Sequence, residues 1–156
     1  MRAEDSGEGE GVRVEGRTAA VLIRSIVVDD IVAHAAAAQP DECCGILIGL
    51  GDRVDEAWRA RNIAERPATR FLIDPADHLA ALKDARRRRL DVVGFYHSHP
   101  RSPAEPSPTD LADASYPDHL FLIVGNNAGR NAAAVDVRLY RFADGNFRPT
   151  SFVRVP

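Results

Sequence analysis

The chain has 156 residues, 45% of them hydrophobic and 28% charged, which is enough for one domain with a real hydrophobic core. Its formal net charge of −3 provides no global basic field for nucleic acid. No stretch approaches the roughly 20 apolar residues needed to span a bilayer, and the acidic, glycine-rich opening has no secretory apolar region, so the expectation is a cytoplasmic protein with no membrane partner.

Residues 1–16 read as a disordered or loosely held tail of Glu, Gly and Ser, and residues 17–156 as a single domain. Ala19 to Val28 predicts a short apolar strand. Asp29 and Asp30 then introduce Ile31, Val32 and an alanine run, a helix stopped by Pro40. Cys43 and Cys44 are adjacent, a poor geometry for a disulfide and too few thiolates for a structural zinc site. They read as small buried residues at a strand entrance. Gly45 to Leu50 is an apolar strand, Gly51-Asp52 a turn, and Arg53 to Ala60 its hairpin partner.

Phe71 to Ile73 predicts another short strand before a helix with Asp74 as N-cap, Pro75 at the first helical position and Asp77 in the first turn. Leu79 and Leu82 are expected to mark its buried side. Arg86 to Arg89 close the helix where positive charge suits the dipole, although such a run also suits an acidic partner. Asp91 to His99 is a strand, followed by a proline-rich loop from Pro100 to Pro108 and a short helix to about Ser115. His119 to Val124 is a core strand, Asn126 to Asn131 a turn, Ala132 to Phe142 a strand and Asn146 to Val155 a last strand. The expected fold class is α/β: one mixed sheet with flanking helices.

The chemistry concentrates at the end of the strand 91–99. Side chains two apart on a strand share a face, so His97 and His99 project together, as two nitrogen ligands of a zinc ion require. A catalytic zinc needs a third protein ligand and an open position. Asp110 is the candidate, returned by a loop that Pro100, Pro103, Pro106 and Pro108 stiffen. Ser107, Pro108 and Asp110 also form a capping-box-like helix start, a reading that stands beside the metal one. Glu42, just before the apolar strand, is a surface glutamate or, if folded near the histidines, a general base. Ser107 is placed to donate to a developing oxyanion.

These residues resemble the JAMM (MPN-plus) metallopeptidases. The resemblance rests on Glu42, then His97-Ser98-His99-Pro100, with seven residues between His99 and Ser107, and two more before Asp110. The stretch Asp41-Glu42-Cys43-Cys44-Gly45-Ile46-Leu47-Ile48-Gly49 also looks like the family's segment around its catalytic glutamate. The resemblance covers about Ala19 to Phe142. It implies a mixed α/β fold similar to that of cytidine deaminases, one Zn2+ per chain held by His97, His99 and Asp110, general acid/base work by Glu42, and stabilisation of the tetrahedral intermediate by Ser107. The chain looks like the small prokaryotic members, which implies a ubiquitin-like sulfur-carrier protein as substrate and partner. The bond cut would follow the carrier's C-terminal Gly-Gly, and an extended tail of that kind can add to a sheet edge.

Two other function classes are weighed. A non-catalytic scaffold for such a carrier runs against the intact ligand set. A nucleic-acid-associated protein of the RadC type shares the pattern but carries an N-terminal helical part, whereas the region before Ala19 is short and acidic. A zinc deaminase would show H-x-E and P-C-x-x-C, and neither is present. A homodimer is left open.

Overall fold

The computed structural model describes residues 19–126 and 135–156, so the expected tail and most of the expected turn at 126–131 lie outside it. Eleven elements follow in chain order: β1 (Val21–Arg24), α1 (Ser25–Ala38), β2 (Cys44–Leu50), β3 (Arg53–Ala60), α2 (Pro75–Arg87), β4 (Asp91–Ser98), α3 (Pro108–Asp113), β5 (Leu120–Asn126), β6 (Val135–Ala143), β7 (Asn146–Thr150) and β8 (Phe152–Val155). The strands form one mixed sheet in the order β7-β6-β5-β4-β2-β3-β1-β8.

Period-two alternation gives the sheet two apolar faces. On β5, Leu120, Leu122 and Val124 join the core under α1, while Phe121 and Ile123 face the opposite core under α2. Helix α1 docks through Val27, Val28, Ile31 and Ala35, spaced for one helical face. Helix α2 docks through Ala81 and Ala85. Among the described residues no helix is long and apolar enough to cross a membrane.

Several expectations are corrected. The first strand is only four residues long, and α1 begins at Ser25; Asp29 and Asp30 lie on its exposed face rather than at its start. Leu79 and Leu82 are 51% and 36% exposed. The sheet already offers Phe95 and Phe121 to α2, and small alanine methyls let the helix sit close. Phe71 to Ile73 makes one isolated bridge, Asn62 to Ile73, because the Asn62 side chain takes hydrogen bonds that a neighbouring strand would take. The last expected strand is two. Thr150 and Phe152 flank a single residue, yet their strands are the two edges of the sheet. Those two Cα atoms lie within about 7.6 Å of each other, so the sheet curls until its edges meet at Ser151.

Candidate metal centre

Strand β4 is interior, paired with β2 on one side and β5 on the other. That pairing puts His97 between Cys44 and Ile123, where it is 1% exposed. His99 lies just past the strand, its N–H donating to the Val124 carbonyl at 2.8 Å. The two Nε2 atoms are 3.1 Å apart. Asp110, in the first turn of α3, places Oδ2 at 3.2 Å from His97 Nε2 and 3.1 Å from His99 Nε2. These three donors form a nearly equilateral triangle. Around a tetrahedral zinc with ligand distances of about 2.0–2.1 Å, donors stand about 3.3 Å apart, so the triangle fits the ion.

Hydrogen placement agrees. The His99 Nδ1–H donates to the Pro103 carbonyl at 2.9 Å, which leaves the Nε2 lone pair aimed at the triangle. The His97 ring is stacked on Phe71, with centroids 4.3 Å apart, and its Nδ1 is buried without a hydrogen-bond partner among the described residues. Burial holds His97 below the ordinary imidazole range. For His99 burial also pulls downward, but hydrogen bonds accepted by the Asp110 carboxylate and the Pro103 carbonyl outweigh it and the net shift is upward. Burial opposes ionisation of Asp110 too, and the two imidazoles still hold its carboxyl far below the usual carboxylate range. An ionised carboxylate converging with two imidazole nitrogens in a dry site is a donor set for a divalent cation.

Glu42 has a carboxylate oxygen within 4.8 Å of the histidine nitrogens and is 5% exposed. Burial pushes its carboxyl up to about 7, with His99 opposing and Asp110 adding to the rise. Ser107 makes the capping box: its Oγ accepts from the Asp110 N–H at 3.0 Å, and its own N–H donates to Asp110 Oδ2 at 2.9 Å. Capping and convergence on the histidines are therefore one geometry, since the cap is what aims the carboxylate. The hydroxyl hydrogen of Ser107 is left free by that cap.

The structure thus brings His97, His99, Asp110 and Glu42 together, with Ser107 attached to Asp110. A cleft of about 1280 Å³ opens over His97 and Asp110, walled on one side by residues 63–73 and on the other by α3 and Tyr116.

Other contributors have weak sequence signals. Ser98 Oγ accepts from the Cys43 N–H at 2.8 Å and its N–H donates to the Cys43 carbonyl at 3.1 Å, tying the Glu42 segment to the histidine strand. The proline loop is also anchored by Ala104, which is fully buried. The Ala104 N–H donates to Asp136 Oδ2 at 3.0 Å and its carbonyl accepts from the Tyr140 hydroxyl at 2.8 Å. A Cβ on Gly125 would fall 2.1 Å from the Ala104 nitrogen, so only glycine allows that approach.

The chain is similar to known proteins in sequence and in fold. The family model described as prokaryotic homologs of the JAB domain matches residues 24–142. A CysO-cysteine peptidase of Mycobacterium bovis is 35% identical over 136 residues, 84% of this chain and 88% of that protein. A desampylase of Haloferax volcanii is 39% identical over 101 residues, 61% of this chain and 73% of that protein. The fold is similar to that of a JAB1/MPN domain protein from Archaeoglobus fulgidus, with a TM-score of 0.52 at 22% identity, over 88% of this chain and 99% of that one. With the family's model spanning most of the chain, this protein belongs to the prokaryotic branch of the JAB (JAMM/MPN) domain family.

Proposed function

We propose that this protein is a zinc-dependent peptidase that hydrolyses the amide bond after the C-terminal Gly-Gly of a ubiquitin-like sulfur-carrier protein, releasing cysteine or a conjugated partner. Its family membership makes it a hydrolase. The observation that carries the finer reading is the His97, His99 and Asp110 triangle beside a buried Glu42 at the head of an open cleft. The peptidase names of the two relatives support the substrate class.

Zinc, when bound by the triangle, supplies Lewis acidity toward water and the scissile carbonyl. The rest is done by the chain's own residues. Glu42, whose burial raises the proton affinity of its carboxylate, accepts the proton of the attacking water and returns it to the departing amine nitrogen. Ser107 donates its free hydroxyl hydrogen to the developing oxyanion. Phe71 and the half-buried wall around it keep bulk water from His97. A glycine tail suits this approach because it brings backbone to the triangle without side chains.

The test is cleavage of carrier–cysteine and carrier–lysine conjugates by zinc-loaded protein. Chelation is expected to abolish turnover, and Glu42→Gln to lower kcat by about 10²–10⁴ with about one zinc per chain retained. His99→Ala is expected to lose the metal itself. Cleavage that persists in chelator, or in the Glu42→Gln protein, would overturn the reading.

A further inference from the structure

Residues 61–73 leave the end of β3 and return to the start of α2 as a closed excursion. Its feet are joined by the Arg61 N–H donating to Asp77 Oδ2 at 2.8 Å and the Asp74 N–H donating to the Arg61 carbonyl at 3.0 Å. Its middle is joined by the Ile63 N–H to the Leu72 carbonyl at 2.9 Å. Between these, Asn62 fills every hydrogen-bonding position an amide side chain has. Its Nδ2 donates to the Glu42 carbonyl at 3.0 Å and the Arg70 carbonyl at 2.9 Å. Its Oδ1 accepts from the N–H groups of Ala64 at 3.1 Å and Leu72 at 3.0 Å.

The other backbone group of Glu42 is taken by the same excursion, its N–H donating to the Pro67 carbonyl at 2.8 Å. Strand β2 begins two residues later, so the sheet ladder does not hold Glu42. On the far side of the excursion, Phe71 follows Arg70 and stacks on the His97 ring. One side chain therefore stands between the carboxyl that moves the proton and the ring that covers a metal-site histidine.

We infer that Asn62 is a positioning residue for the proposed hydrolysis, locking Glu42 and the Phe71 wall into one frame around the triangle. The inference rests on the peptidase reading for its kinetic consequence. Only an amide of this length meets the demand: Asp would aim a carboxylate oxygen at two carbonyls, and Ala would leave four backbone groups without partners.

The experiment compares zinc-loaded wild type with Asn62→Asp and Asn62→Ala on a Gly-Gly conjugate, alongside amide hydrogen exchange. Both variants are expected to lose about 10- to 100-fold in kcat, with KM within about threefold and zinc content unchanged. Exchange at the Glu42 amide should accelerate at least tenfold while β2 stays protected. Arg61→Ala, which removes only the ion pairs at 3.2 and 3.6 Å to Asp74 and Asp77, loosens the same excursion without touching Glu42 and keeps kcat. An Asn62→Asp protein with wild-type kcat, or an equal kcat loss in Arg61→Ala, overturns the inference. If wild type cleaves no conjugate, the peptidase reading fails, and the Glu42 exchange still decides: unchanged protection in Asn62→Asp overturns the lock.

Discussion

At the scale of single residues, neighbours in sequence are separated by the sheet they enter. Cys43 faces the α1 core and Cys44 the α2 core, where it sits across from His97 in the β2–β4 register. Burial pushes the Cys43 thiol up to about 11 and the Cys44 thiol up to about 12. A raised thiol pKa keeps the unreactive SH form at neutral and mildly alkaline pH. Neither cysteine is therefore expected to label with a thiol reagent at pH 8 in the folded protein, while both label after unfolding; rapid labelling of native protein would show that the entrance to β2 opens. Of the residues around the triangle, His97, His99, Ser107 and Asp110 were legible from spacing, because strand periodicity and a helix cap are local rules. The carboxyl of Glu42 was not placed by any local rule. It arrives through Asn62 and Pro67, partners 20 and 25 residues along the chain, and through Ser98, which holds the neighbouring Cys43 from 55 residues away.

At the scale of elements, the proline loop and β5 form one support for His99. Gly125 lets Ala104 seat against β5, and the neighbouring Pro103 carbonyl then holds the His99 ring. Gly125→Ala must displace that backbone, so zinc affinity is expected to fall about 10- to 100-fold, measured by competition with a chelator of known affinity. Gly51→Ala is the contrast: φ is +55°, nothing stands within 4 Å, and the expected effect is about 1 kcal/mol of stability with zinc affinity unchanged. Equal zinc affinity in both variants would refute the support. Helix α2 shows what patterning can and cannot convey. Its start at Asp74 and Pro75 follows from capping chemistry, and the Asp74 carboxylate does accept the Ala76 N–H at 2.9 Å. Its buried face does not follow from hydrophobicity, because the sheet beneath it is already filled with phenylalanines and selects alanine over Leu79 and Leu82. The stretch at 71–73 carries a strand's composition but serves as a wall, its backbone groups being claimed by a side chain.

At the scale of the molecule, one residue joins the two edges of the sheet. β1 pairs with β3 through only two register pairs, Leu22 with Arg53 and Ile23 with Val54, but with β8 through four. The buried Val21 and Ile23 thus depend on the last strand. Removing residues 152–156 is expected to lower the free energy of unfolding in urea by roughly 3–5 kcal/mol and to leave a sticky edge; an unchanged unfolding midpoint would contradict that dependence. Composition and alternation announced an α/β sheet, whereas strand order and the reversal at Ser151 are set by long-range pairing that no local pattern encodes. The strand directions have one more consequence. β8 and β1 are parallel, β1 and β3 are parallel, and β3 and β4 both run against β2, so all four strands point toward the rim where His97 and His99 stand, but the register sets Val155 and Arg24 level with Asp55 and the start of β4, well short of Ala60 and Ser98. A polypeptide joined after Pro156 starts four strand spacings from β4, about 19 Å across the sheet, and about 17 Å short of His97 along the strand direction. A flexible tether of about twenty residues reaches that far. Cargo attached there meets the cleft at a high effective concentration, while the same cargo ahead of Val21 begins on the opposite rim.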